Sequence, residues 1–340
     1  MKILITGGAG FIGSNLAAHF ARLGHQITIF DNFSRRGSQS NLAWLKTQPE
    51  GSALAVIQGD ERVPEAINNA ARDQEAIFHL AGQVAVTTSV VDPRHDFESN
   101  AIGTFNTLEA ARASGRNPIF IYTSTNKVYG GMEEAHVVEL ATRYAFADLP
   151  NGVSESWPLD FHSPYGCSKG AGDQYVRDYH RIYGLPTVVF RQSAIYGPRQ
   201  FGIEDQGWLA FFAICAATDR PFTIYGDGKQ VRDLLYIDDL ARAFQAAVAH
   251  IDRAAGRVYN IGGGQARTLS VWAETRPILE KLAGQSLEVR LGDWRPGDQR
   301  IYVSDIARAQ AELGWAPRVS PEDGLGRLWA WIQANKQLFE

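Results

Sequence analysis

Cysteine is nearly missing from this chain of 340 residues: Cys167 and Cys215 are the whole supply. Two isolated thiols make neither a disulfide framework nor a zinc-ligand cluster, so a reducing compartment and a metal-free site are expected. Long apolar runs are missing as well. None approaches the roughly 18 residues that cross a bilayer. Met1-Lys2 runs straight into Ile3-Leu4-Ile5 and the glycines Gly7 and Gly8, a stretch too short for a secretory core. The expectation is a cytoplasmic protein with no membrane partner. An excess of positive charge is the third absence. The formal net charge is −4, which leaves no basic stripe for a nucleic-acid backbone. A local cationic pocket for a diphosphate remains compatible with that balance. The chain also lacks internal repeats, heptads and low-complexity tails.

What is present is an ordinary globular composition, 45% apolar and 21% charged, in a length that fits one large domain or two modest ones. Apolar strands are expected at 2–6, 26–31, 54–58, 75–80, 119–123 and 187–191. Amphipathic helical stretches at 13–23, 64–72, 96–113 and 166–183 alternate with them. Such alternation predicts a parallel sheet covered on both faces. From Gln192 the pattern turns irregular and richer in Trp, Gly and Pro. We therefore expect a dinucleotide-binding domain over 1–191 and a smaller substrate domain over 192–340. The two should interleave, because 257–262 (Arg-Val-Tyr-Asn-Ile-Gly) reads as one more core strand. The polar stretch 132–158 reads as a long loop.

The first strand runs into Gly7-Gly8-Ala9-Gly10-Phe11-Ile12-Gly13. Glycines at 7, 10 and 13 suit a tight turn, close backbone approach to a pyrophosphate, and a helix N-terminus aimed at it. Glycine-rich turns are common, and a plain structural turn is the bland alternative. Context favours the dinucleotide, since the second strand ends in Asp31, at the right distance for a ribose-binding carboxylate. A carboxylate there accepts from ribose hydroxyls and repels a 2′-phosphate, so NAD is favoured over NADP. Arg35 and Arg36 follow and would accept such a phosphate; a solvated basic turn is the better reading for Arg36.

Tyr165-Gly166-Cys167-Ser168-Lys169 sets a tyrosine and a lysine four apart, on one face of a helix. Pro164 just before them fits a helix start. The strand at 119–123 runs into Ser124-Thr125-Asn126-Lys127, and its C-terminal end belongs at the ligand crevice of the sheet. A tyrosine with a pKa of about 10 is a poor base, and half-ionising it at pH 7 takes roughly 4 kcal/mol. A neighbouring ammonium and a cationic nicotinamide would supply that by stabilising the phenolate. The Thr125 hydroxyl would hold the reacting oxygen. An isolated Tyr/Lys pair is as readily a packed ring beside a surface lysine; the glycine turn and Asp31 in the same chain favour function.

At this point the sequence closely resembles the extended short-chain dehydrogenase/reductase family, also called the NAD-dependent epimerase/dehydratase family. The resemblance spans nearly the whole chain. It rests on Gly7 through Gly13, Asp31-Asn32, Gly59-Asp60, His79-Leu80-Ala81-Gly82, Asn100 with Gly103-Thr104, Ser124-Thr125, Tyr165 through Lys169, Tyr196-Gly197-Pro198-Arg199 and Arg232-Asp233. It implies a Rossmann-type doubly wound sheet and NAD as cofactor. It also implies Phe11 and Ile12 at the pyrophosphate through their amides, and Asp60 at the adenine. Leu80, Ala81, Gln83, Asn100 and Thr123 would line the cofactor, with Asn32, Ser34 and Arg35 following Asp31 in the same set. Tyr165 is the implied base, Lys169 its partner and Thr125 the hydroxyl helper. A homodimer or homotetramer is implied too, through 96–113 and 166–183 packing against a second copy.

Within the family, Ser124 through Gly130, Asp160 through Gly170, Asp205-Gln206-Gly207-Trp208, Gly82-Gln83-Val84-Ala85 and Gly228 through Asp233 resemble the CDP-tyvelose (CDP-paratose) 2-epimerase group. That group implies a CDP-hexose substrate, transient oxidation at C2 and return of the hydride to the opposite face. Arg232 and Arg295 match positions expected at the diphosphate or nucleoside; ordinary salt bridges are the alternative. Asn126 and Lys127 fall where a hexose should lie, and Gln206 and Trp208 would close over the sugar or nucleotide; plain packing is the equal alternative for each. Two departures stand out. Glu61 occupies a usually apolar position beside the adenine, and Ala194 replaces an Asn that contacts the sugar diphosphate, for which Gln192 or Ser193 would substitute. His79, ending a buried strand, reads as a core hydrogen-bonding histidine, while His162 neighbours Tyr165.

Other enzymes of the family, a nucleotide-sugar 4-epimerase or decarboxylase, share most of these marks. A 4,6-dehydratase usually carries an acid in a Thr-Asp-Glu pattern, where this chain has Thr125-Asn126-Lys127. A non-catalytic dinucleotide sensor is the alternative from a different class; sensors commonly lose the Tyr/Lys pair that is intact here.

Overall fold

Strand β1 (Lys2–Thr6) is buried along almost all its length, as a strand covered by helices on both faces must be. Around it a computed structural model, describing residues 1–51, 54–295 and 298–339, builds a seven-stranded sheet. Its further strands are β2 (Gln26–Asp31), β3 (Leu54–Gln58), β4 (Ala76–His79) and β5 (Ile119–Thr125). The last two members follow the short hairpin β6 (Val137–Glu139) and β7 (Tyr144–Phe146). They are β8 (Thr187–Gln192) and, after β9 (Ala194–Tyr196), β10 (Phe222–Tyr225) and β11 (Val231–Tyr236), the strand β12 (Arg257–Ile261). The spatial order is β3-β2-β1-β4-β5-β8-β12, with every pair parallel. The order reverses between β1 and β4, and an open sheet binds its ligand at such a switch point, outside the strands' carboxyl ends. The strand expected at 257–262 is thus the sheet edge, reached from the second half of the chain.

Helices α1 (Phe11–Arg22), α2 (Ser38–Thr47), α3 (Pro64–Ala71), α4 (Val86–Val91), α5 (Pro93–Phe97), α6 (Gly103–Ala113) and α7 (Ser163–Tyr183) connect the first strands. One large apolar core holds Ile3, Ile5, Leu16, Phe78 and Ile121 together with Leu234, Phe244 and Leu325 from the second half. The halves therefore share one interior. Beyond the sheet, β9 pairs with β11 in parallel, and helices α8 (Trp208–Ala217) and α9 (Ile237–Ala249) pack behind them.

Several expectations need correcting. The helix expected from Gly13 begins at Phe11, because the backbone has already turned at Gly7. The helix expected from Gly166 begins at Ser163, which puts Tyr165 in its first turn. The single helix expected over 96–113 is broken by a π-helical turn, Glu98–Ile102, between α5 and α6. The loop expected over 132–158 contains the β6–β7 hairpin, and Val153 bridges to Ser304. Short polar strands with long-range partners carry little periodic signal, which is why they read as loop. The region after Gln192 holds substantial helices, among them α8, α9 and Pro321–Ala334. Residues Pro296 and Gly297, within the motif that follows Arg295, lie outside the described residues.

Candidate active site

The turn between β1 and α1 is made by backbone alone. Gly7 has φ +65°, and a Cβ on it would sit 2.9 Å from the Ala81 nitrogen. A Cβ on Gly13 would run into the Gly7 carbonyl oxygen. Helix α1 then starts with no side-chain cap and no acidic residue in its first turn, so its leading amides suit an anion. At the end of β2 the Asp31 carboxylate accepts from the amides of Ala9 (2.9 Å) and Phe33 (2.7 Å). Burial raises its pKa and those amides oppose the rise. A cleft of about 480 Å³ opens here, lined by Gly7, Gly10, Phe11, Ile12, Gly13 and Asp31. Asn32, Ser34, Arg35, Leu80, Ala81, Gln83 and Thr123 also face it.

Two expected members of the cofactor set stand back from that lining. Asn100, on the π-helical turn, donates its amide to Asp96 and Ser168, both at 3.1 Å. Its buried Oδ1 has no hydrogen-bond partner among the described residues. Asp60 is held by Arg62 at 2.7 Å and by Asn32 at 3.0 Å, and the guanidinium keeps its carboxyl well below the usual range. Gln83 closes a turn with Ala85, donating at 2.6 Å and accepting at 2.7 Å. Arg35 reaches across the cleft mouth and donates to Gln206 at 2.8 Å.

At the far end of the cleft stand Tyr165 and Lys169, both nearly buried. The first turn of α7 is pinned by α4, since the Tyr165 amide donates to Ser89 Oγ at 3.1 Å. Ser163, just before, sits at φ +65°, a strained conformation for a non-glycine residue. Burial pushes the Tyr165 phenol up to about 12, against a hydrogen bond with Thr125 that lowers it. Burial takes the Lys169 ammonium down to about 7. That ammonium lies 4.3 Å from the centre of the Tyr122 ring, a favourable cation–π contact.

A second cavity of about 210 Å³ continues past Tyr165. It is lined by Ser124, Thr125, Asn126, Gln192, Ser193 and Gln206, with Trp208 at its side. Gln192 faces both cavities, and its buried Nε2 has no partner among the described residues. Ser193 is different: its hydroxyl donates to the Asp233 carboxylate, which leaves it little to offer a substrate. Lys127, Arg232 and Arg295 lie outside both linings. Arg232 holds Asp298 at 2.8 Å. Burial lowers Lys127 to about 8, with Arg232 adding to the effect and Asp298 opposing it. Arg295 stacks 3.8 Å over the Tyr225 ring and lies 3.4 Å from Asp205.

His79 is the core histidine expected. It bonds Thr6 at 2.7 Å and Thr104 at 3.0 Å, and burial lowers its pKa to about 3. His162 pairs with Asp160 at 2.8 Å and is about half exposed, outside both linings. The sequence reading missed the ion pair of Arg191 with Asp173, at 2.8 Å and almost fully buried. Asp173 also accepts from Ser124 at 2.9 Å, so the pair ties β5, β8 and α7 together beside Thr125. An arginine inside an apolar strand was the available signal. Gln200, buried and facing both cavities, was also missed.

The residues fit a dinucleotide: a glycine turn with open amides, a carboxylate fixed by two backbone donors, and an orphaned amide where the two cavities meet. Comparisons with known proteins agree. The profile of the NAD dependent epimerase/dehydratase family matches residues 3–262. The CDP-paratose 2-epimerase of Salmonella typhi is 44% identical over 98% of this chain and 100% of its own length. The dTDP-glucose 4,6-dehydratase of Streptomyces venezuelae, solved with NAD, superposes with a TM-score of 0.84 at 30% identity, covering 100% of this chain and 99% of that one. The UDP-glucose 4-epimerase of Thermotoga maritima, solved with UDP-glucose, gives a TM-score of 0.83 at 29% identity, covering 99% and 100%.

Proposed function

The chain belongs to the NAD dependent epimerase/dehydratase family, and on that premise we propose that it inverts C2 of a CDP-linked hexose with NAD kept bound throughout. The observation that carries this reading is the end-to-end likeness to the Salmonella typhi enzyme. The order Thr125-Asn126-Lys127 supports it, since no acid follows the threonine as a dehydratase would need.

When bound, NAD supplies the acceptor and later the donor of a hydride. The chain's own residues handle the proton. Tyr165 Oη takes it from the sugar hydroxyl, with Thr125 Oγ1 holding the same oxygen. A phenol raised to about 12 stays protonated at neutral pH, so its ionisation needs positive charge nearby, and Lys169 provides it. Gln192 lies where the cavities meet and orients the sugar. Arg232, Lys127 and Arg295 form the cationic side that receives the nucleoside diphosphate. Residues 1–191 with β12 carry the cofactor, and the remainder covers the sugar nucleotide.

The protein works as a homodimer or homotetramer. Support comes from the outer faces of α4, α5, α6 and α7, where Val90, Val91, Phe97, Phe105, Tyr175 and Ile182 are exposed together. A cytoplasmic setting suits its two free cysteines. Among the described residues no helix is long and apolar enough to cross a membrane.

The test is incubation of purified protein with CDP-paratose, CDP-glucose and UDP-glucose in deuterated water, without added NAD, followed by NMR. Inversion at C2 of a CDP-linked sugar without deuterium uptake is expected. Deuterium at C2, a stoichiometric demand for NAD, or no change in any sugar would overturn the proposal.

A further inference from the structure

Lys169 has a charge problem. Its side chain is nearly buried, and burial draws its pKa down to about 7, so an ammonium beside Tyr165 needs an opposing charge. Three carboxyl groups act on it: Asp96, Asp173 and Glu61. Asp173 is already committed, with both oxygens bonded to the Arg191 guanidinium at 2.8 and 3.0 Å. Glu61, across the cleft floor, is itself raised to about 7 by burial and is therefore about half neutral at the same pH.

Asp96 remains. It is 1% exposed on α5; burial raises its carboxyl, and the Ser168 hydrogen bond and the Lys169 charge oppose that rise. Among the described residues its hydrogen-bond partners are neutral: Ser168 Oγ donates to one oxygen at 2.5 Å and Asn100 Nδ2 to the other at 3.1 Å. No ion pair to Asp96 occurs among those residues. Asn100 Nδ2 also lies 3.1 Å from Ser168 Oγ, and Ser168 directly precedes Lys169 on α7. The carboxylate is thus fastened to the turn that carries the lysine. The other groups around the pair leave it this role. His79, facing from β4, is held neutral, Tyr122 offers only its ring face, and His95 sits beside Asp96 on its own helix. A buried carboxylate without a cation is costly, and so is a buried ammonium without an anion.

We propose that Asp96 is a positioning residue, a buried counter-charge fastened through Ser168 and Asn100 that keeps Lys169 an ammonium beside Tyr165. The inference rests on the reading of Tyr165 and Lys169 as the proton-transfer pair. The same negative charge raises Tyr165, so Asp96 holds the resting pair as phenol plus ammonium. Both groups then lose their proton at lower pH when the carboxylate is removed.

The experiment titrates protein labelled with [ε-13C]lysine, with its NAD retained, by NMR. Lys169 is assigned from the resonance lost in Lys169→Arg. Asp96→Asn should lower the Lys169 midpoint by about one pH unit, and Asp96→Glu should restore it. Ser168→Ala cuts the fastening bond that holds the carboxylate and favours its charge, so its midpoint should fall by part of that unit. A midpoint unmoved in Asp96→Asn overturns the proposal, as does one unmoved in Ser168→Ala. Should Asp96→Asn fail to fold, the Ser168→Ala titration decides by itself. No substrate is needed, so failure to turn over a CDP-hexose counts against the proposed reaction and leaves this test standing.

Discussion

The two ends of the cleft are built in different ways. The cofactor end comes from neighbours in sequence: β1, the glycine turn, the start of α1, and Asp31 at the end of the next strand. Its donors are backbone amides, and it needs glycine because Gly7 carries a positive φ and a Cβ on Gly13 would run into the Gly7 carbonyl. The end proposed for the substrate has Asn126, Gln192 and Gln206 on its wall, and the proposed cations Arg232 and Arg295 stand outside that lining, each held by partners from other segments. Its donors are side chains, and each is already tied to a protein partner or poised for a ligand. A backbone site tolerates few substitutions and keeps one ligand. A side-chain site can be re-specified residue by residue, which suits a family whose members act on different sugar nucleotides.

If the two ends are separable, turnover can be abolished without loosening the cofactor. Tyr165→Phe removes the proton acceptor alone, and kcat should fall by roughly a thousandfold or more while NAD co-purifies in full. Loss of NAD together with activity would break the separation.

A change at the cofactor end should act on stability and leave the substrate side alone. Glu61 is nearly buried and its pKa is raised to about 7. A carboxyl raised in the folded state contributes full stability below its unfolded pKa and loses it as pH climbs through the folded one. The loss falls between about pH 4.5 and 7. Glu61→Gln has no such penalty, so its advantage over the unmodified protein in chemical denaturation should grow by about 2 kcal/mol between pH 5.5 and 8.5. A constant difference across that range would mean that Glu61 is solvated.

The smallest expected effect sits at the substrate end. Arg295→Ala removes a guanidinium stacked on Tyr225. KM for the sugar nucleotide should rise about tenfold, with kcat and NAD content little changed. A drop in retained NAD would instead place Arg295 at the cofactor.

The sequence reading succeeded where structure is local. β1, β2 and β3 have the expected bounds, because continuous apolar runs of that length bounded by turn residues have few alternatives. Gly7 through Gly13, Asp31 and the Tyr165/Lys169 pair fall on one cleft, because each motif carries its own geometry. The helix α2 and the β6–β7 hairpin went unread: one has weak amphipathicity and the other is short and polar. Asn100, expected on the cofactor, donates to Asp96 four residues back and to Ser168 on α7, the second a contact between residues far apart in the chain. Ser193, expected on the substrate, gives its hydroxyl to Asp233 forty residues away.

The sequence by itself determined the sheet, the glycine turn and the placing of Tyr165 and Lys169 one turn apart on one helix, since these depend on periodicity and on residues within one or two turns of each other. Only the tertiary structure decided which buried carboxylate is bonded, among the described residues, to Ser168 and Asn100 alone, which arginine is consumed by Asp173, and which amide is left orphaned where the cavities meet. Those outcomes depend on burial and on the competition of distant partners for the same hydrogen bonds, and a linear chain does not record either until it has packed.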